Sequence, residues 1–193
     1  MAEEHRVEFF SIGVELEQTV QEQNWKALIS DVREVYSGKL TFVANGEAGI
    51  SRVPFWDQMD FVALSLYPEL GETSGTPAMR ARIQSAAQAL WRTLDTLGKP
   101  VWIAEVGIRS AKDAQIRPWE SPEERRADPD LTLQATVLDL WLRELNHPRV
   151  AGILIWRWFS DPTTGGSSDT DFTPQNKPAE GVLLSHWLSN VPQ

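Results

Sequence analysis

Apolar residues in this chain fall into short dense runs, separated by longer stretches where they recur every three or four positions. The runs Glu8–Val14, Leu40–Asn45, Phe61–Tyr67, Val101–Val106 and Gly152–Phe159 read as strands. Between them, Trp25–Tyr36, Ala78–Leu97 and Leu131–Asn146 read as helices, with a last one near Ala179–Leu188. In the first of these, Trp25, Leu28, Ile29, Val32, Val35 and Tyr36 make one apolar face, and Gly38 is the expected terminator. Strand–helix alternation predicts βα units around a parallel sheet, hence an α/β fold. The strands are apolar without strict alternation, as suits a sheet covered on both faces.

The ends of these strands carry the chemistry. Residues two apart in a strand share a face. Glu15 then goes with Gly13 and Ser11, Asn45 with Val43 and Thr41, and Tyr67 with Ser65 and Ala63. Glu105 goes with Ile103 and Val101, and Trp156 shares a face with Trp158. Five successive strands thus finish in a polar or aromatic group. A (β/α) barrel gathers its active site at the C-terminal strand ends, so this favours a barrel over a doubly wound open sheet. No GxGxxG or Walker pattern follows the first strand, and no G-x-S-x-G elbow occurs.

Composition narrows the partners. The chain has 193 residues, 41% hydrophobic and 23% charged, enough for a sizeable core and too few for a second full domain. A formal charge of -9 disfavours nucleic acid, since phosphate binding needs clustered Lys and Arg. No apolar run approaches the roughly 18 residues of a membrane span, and "MAEEHRVEFF" is not an apolar signal segment. As it stands the chain reads as cytoplasmic, with secretion left open should a longer N-terminus precede it. There is no cysteine, so neither disulfides nor thiolate metal sites arise.

The segments "FFSIGVELE", "LTFVAN", "VPFWDQMDFVALSLYP", "KPVWIAEVGIRS", "GILIWRWF" and "DFTPQNKPAEGVL" resemble, in that order, segments of glycoside hydrolase family 113. The resemblance runs from Phe9 to Trp187. It implies a clan A (β/α)8 TIM barrel acting on β-1,4-mannan by a retaining mechanism, with no cofactor. By motif, Glu15 in "IGVE" would be the general acid/base after the fourth strand, and Glu105 in "IAEVG" the nucleophile after the seventh. Many clan relatives place Asn just before the acid/base, where this chain has Val14; family 113 is looser there. Counted this way, residues 1–193 form a single partial catalytic domain, a barrel truncated to about five βα units, strands four to eight. "AEEHRVEFF" reads as the end of the helix before strand four. A longer reading frame or self-association would then complete the barrel, because an open sheet leaves raw edges.

The remaining candidates each have a plainer alternative. Phe10, Val14 and Leu16 are expected to give Glu15 an apolar setting. Tyr67 lies where the clan often places a tyrosine that bonds the nucleophile, or is an ordinary interfacial tyrosine. Asn45 binds a sugar hydroxyl or forms a turn before Gly46. Trp156 and Trp158 stack on a pyranose ring or pack, and Trp119 lines an outer subsite. Trp25, Trp91, Trp141 and Trp187 read as helix packing, and Arg109 as a structural ion pair rather than a hydroxyl ligand. "DPTTGGSSDTD" lacks EF-hand spacing, and the three histidines form no cluster, so no metal is expected. The expected partner is a polysaccharide or oligosaccharide substrate. The alternative is a non-catalytic fragment, a carbohydrate-interacting half barrel.

Overall fold

The apolar runs assemble into one sheet in a computed structural model that describes residues 1–21, 23–72 and 75–190, the last two as backbone alone. Among the described residues the sheet has five strands in sequential order. They are β1 (Phe9–Val14), β2 (Lys39–Asn45), β3 (Val62–Leu66), β4 (Val101–Val106) and β5 (Val150–Ile155). β1 pairs with β2, and β2 with β3, in parallel. The helices are α1 (Asn24–Val35), α2 (Gly46–Ile50), α3 (Thr76–Asp95), α4 (Leu131–Glu144) and α5 (Pro178–Asn190). Sequential parallel strands with a helix in most connections are the expected βα arrangement. The short α2 falls where only a turn was expected, and Ala2–Arg6 form turns rather than a helix end.

The chain divides into two compact units. The first comprises Met1–Leu66, Ala89–Glu105 and Pro148–Leu154; the second comprises Tyr67–Gln88, Val106–His147 and Ile155–Gln193. In the first, the central strand β3 is buried along its whole length, whereas the edge strand β1 leaves Phe9, Phe10 and Val14 exposed. One face of the sheet carries Phe9, Phe61 and Trp102, whose ring centroids lie 5.0 to 6.3 Å apart. The other carries Phe42, packed edge-on against Trp25 and Phe55 at 5.4 and 5.6 Å. That second face meets α1.

On α1 the expected apolar face is only partly used. Trp25 and Ile29 are buried and Tyr36 just beyond the helix is too, but Leu28 and Val35 are exposed. Periodicity finds the stripe, and neighbours decide how much of it is covered. Gly38 does not end the helix by a left-handed turn; Tyr36, at φ -138°, already does so in extended form. Gly38 is needed because a Cβ there would lie 2.2 Å from the Tyr36 hydroxyl, which donates to Val7 O at 2.7 Å.

In the second unit α4 starts at Asp130, whose side chain accepts from Leu133 N at 2.9 Å as an N-cap. It buries Leu133, Val137, Leu138 and Trp141, and it packs against α5. Trp141 and Trp25 are packing residues as expected; Trp187 on α5 is 52% exposed and is not. The last strand stops at Ile155, so Trp156 and Trp158 lie beyond it and do not share a strand face.

Candidate functional site

The C-terminal end of β1 is shaped by an extra residue. Ser11 pairs with Thr41 and Val14 with Val43, three steps on one strand against two on the other. This bulge resets the side-chain parity. Ser11 keeps the face of Thr41, while a Cβ on Gly13 would meet the Phe42 ring at 2.8 Å and Trp25 at 3.0 Å. Ser11 and Gly13 therefore point to opposite faces, which corrects the two-residue count back from Glu15. The Ser11 hydroxyl closes the bulge by donating to Gly13 O at 2.8 Å.

Glu15 follows at once with φ 54°, a left-handed conformation that costs a non-glycine residue roughly 1 kcal/mol or more. Its N–H donates to Val43 O at 2.9 Å, tying it to β2. Its Oε1 accepts a hydrogen bond from the hydroxyl of Ser65. Ser65 lies on β3 directly opposite Asn45 of β2. The ends of three adjacent strands thus bring Glu15, Asn45 and Ser65 together. Asn45 is exposed and precedes α2 with no side-chain capping bond, so its amide is not used to start that helix. Phe10, Val14 and Leu16 do not enclose Glu15: each is 39% to 47% exposed, and Phe10 packs edge-on against Tyr36.

Glu105 is the second-to-last residue of β4, the strand after β3 in the sheet. Val101 and Ile103 are fully buried, while Trp102 and Ala104 are half-exposed, the ordinary alternation. It then breaks: Glu105 is half-exposed and Val106 buried. In exposure Glu105 resembles Trp102 and Ala104 more than the buried Ile103 and Val101. The glycine after Val106 has a steric reason. A Cβ on Gly107 would lie 2.2 Å from Trp156 O, and Trp156 N donates to Val106 O at 2.9 Å, so two backbone segments touch there.

The other aromatic candidates belong to the second unit. Tyr67 is half-buried, its ring 6.2 Å from that of Phe172 and edge-on to it. Trp156 is 41% exposed, Trp158 is 53% and Trp119 is 50%. The peptide bond between Trp156 and Arg157 is cis. Trp119 sits beside Glu120, a buried carboxylate gripped by Arg117 and Arg125. Burial alone would raise the Glu120 pKa, but the two guanidinium groups hold it below the usual carboxylate value.

Arg109 is structural, as expected, but it is held by carbonyls rather than a carboxylate. Only 1% exposed, it donates to Thr170 O at 2.9 Å, Arg125 O at 3.0 Å and Ser121 O at 3.2 Å. The acids of the loop after β5 also have local duties. Asp161 accepts from Thr163, Asp169 pairs with Lys177, and Asp171 pairs with Arg157. Among the described residues no group of three or more His, Asp or Glu side chains is arranged to hold a metal ion. No helix among them is long and apolar enough to cross a membrane.

Ser65 is the residue that sequence reading missed. It was visible only as a face neighbour of Tyr67, and a serine inside an apolar run gives no hint that its hydroxyl serves a carboxylate fifty residues away.

Comparison with known proteins places this fold. The model of the family described as Glycoside Hydrolase Family 113 matches residues 1–177. The solved complex of a family 113 β-1,4-mannanase superposes with a TM-score of 0.83 at 22% identity, covering 98% of this chain and 58% of that one. The β-mannanase AaManA from Alicyclobacillus acidocaldarius, in complex with ManMIm, gives a TM-score of 0.81 at 23% identity, covering 97% and 57%. A β-glucuronidase from Ruminococcus gnavus is more distant, with a TM-score of 0.55 at 14% identity over 85% of this chain and 28% of that one. No curated protein matches the chain by sequence. These likenesses give the fold as the (β/α)8 barrel type, of which the described residues carry five βα units. The chain spans 58% of the length of the first mannanase.

Proposed function

The chain belongs to glycoside hydrolase family 113, and from that premise we propose that it carries the two catalytic glutamates of a retaining β-1,4-mannan hydrolase. Glu105 attacks the anomeric carbon while Glu15 gives its proton to the glycosidic oxygen. The C–O bond breaks, the leaving sugar departs as an alcohol, and the glycosyl group is held as an ester of Glu105. Glu15, now a carboxylate, takes a proton from water, whose oxygen attacks the same carbon and frees Glu105. The mechanism needs the two carboxyls about 5–5.5 Å apart.

The observation that carries this reading is the setting of Glu15. It stands at a bulged strand end in a left-handed conformation, with one carboxylate oxygen bonded to Ser65 and Asn45 alongside. Backbone held in so unfavourable a conformation is found where function demands a particular side-chain direction. Asn45 would meet a sugar hydroxyl, and the half-exposed Trp119, Trp156 and Trp158 offer flat faces for pyranose rings.

Glu105→Gln is expected to lower kcat on mannan oligosaccharides by on the order of 10⁴-fold or more. Hydrolysis at the parental rate by that variant would refute the assignment. The exposure of Phe9, Phe10 and Val14 on edge strand β1 favours a second reading, a chain that binds mannan oligosaccharide without turning it over. Binding seen by calorimetry with no product released would select it.

A further inference from the structure

Ser65 stands in a strand, Val62–Leu66, that is otherwise wholly apolar and is buried throughout. A hydroxyl in such a place is costly unless it is hydrogen-bonded. Its carbonyl neighbour, Ala44 O, lies 3.5 Å away, the far limit of a bond. Its close partner is Glu15 Oε1, to which it donates. Ser65 itself is 1% exposed and faces no solvent from which a substitute donor would come.

We propose that Ser65 is a positioning residue for the acid/base step, an inference that rests on the role given to Glu15 above. By donating to Oε1, Ser65 fixes the carboxyl rotation and makes Oε1 an acceptor. The transferable proton of Glu15 must then reside on Oε2, the oxygen left to face the glycosidic bond. In the first step that proton passes from Oε2 to the departing oxygen as the C–O bond breaks and the bond to Glu105 forms. In the second, Oε2 takes the proton of the attacking water. Glu15 Oε1 keeps its bond to Ser65 throughout.

The test uses leaving groups that differ in their need for protonation. Ser65→Ala should lower kcat/KM about tenfold on a mannan oligosaccharide, a fraction of what a general acid contributes. On a dinitrophenyl β-mannoside, whose leaving group departs without a proton, the first step should change less than about twofold. Ser65→Thr, which keeps the hydroxyl, should restore the ratio between the two substrates. An equal loss on both substrates, or no loss on either, overturns the proposal.

A readout independent of turnover guards against a variant that merely packs badly. The ¹³C resonance of the Glu15 carboxyl, assigned by its disappearance in Glu15→Gln, should move in Ser65→Ala at neutral pH; an unmoved resonance also overturns the proposal. Glu15→Ala separates this inference from its premise. If that variant hydrolyses the oligosaccharide at the parental rate, or if the parent does not hydrolyse it, the reading of Glu15 fails and Ser65 fails with it. If Glu15→Ala is inactive on an active parent while Ser65→Ala slows both substrates alike, only the positioning role is lost.

Discussion

In the unit that contains β1 to β3, Trp25, Phe42 and Phe55 pack ring against ring beneath the sheet, with Phe42 and Phe55 1–2% exposed. In the other unit the buried groups include, besides apolar ones, the polar Arg109, Ser110, Gln134, Thr173, Gln175 and Lys177. These hold loops instead of helices. Gln134 donates to Ile108 O and Phe172 O at 3.0 and 2.9 Å, and Gln175 reaches Phe159 O and Asp161 O, both at 3.1 Å. Lys177 donates to Ser110 Oγ at 2.9 Å and Asp171 O at 3.0 Å; burial lowers its pKa below the usual lysine value despite its pairing with Asp169. Apolar packing is non-directional and suits regular elements, whose backbone is already satisfied. A long loop has no such ladder, so its carbonyls must be met one by one by side chains of fixed geometry. The loops that display Trp119, Trp156 and Trp158 are of this second kind.

Three experiments would break or sharpen that contrast. Phe42→Ala should give the largest effect, about 3–5 kcal/mol of lost stability measured by urea unfolding, because it empties the centre of the ring cluster. Arg109→Ala should cost about 3 kcal/mol, and Arg109→Lys should recover little of it, since one ammonium cannot match three separate carbonyls. Its hydrogen-exchange losses should concentrate in residues 109–130 and 160–175; losses spread evenly over both units would mean that the polar network is not a local device. The smallest effect is electrostatic. Burial alone would raise the Asp60 pKa, but Leu40 N–H at 2.8 Å and the Arg33 guanidinium at 2.7 Å hold it below the ordinary value. A folded pKa below the unfolded one stabilises above the unfolded value, near 3.9, and the gain is lost as pH falls through the folded one. Asp60→Asn should therefore flatten the decline of stability below about pH 5, and an unchanged decline would show that Asp60 has no part in it.

The strand ends show how far the sequence could be read. Val101–Val106 was legible to the residue, because Pro100 bounds it on one side and Gly107 on the other. The final strand was misplaced toward the C-terminus, because "GILIWRWF" stays apolar past Ile155, where regular strand structure ends. Face assignments failed wherever parity was reset. The bulge between Ser11 and Val14 moved Gly13 to the helix side. An extra residue in a strand leaves no mark in composition or periodicity.

What the amino-acid order settled unaided is the succession of βα units, for hydrophobic spacing is a local property that each segment carries with it. The glycine at 107 was also visible, though not its reason, which is the approach of Trp156 O. Only the tertiary structure decided that Ser65 serves Glu15, and that Arg109 and Lys177 serve loops rather than ligands. Such pairings join residues tens of positions apart through hydrogen bonds a few ångströms long. Spacing along a chain holds no record of them, because any loop of suitable reach would bring the same groups together.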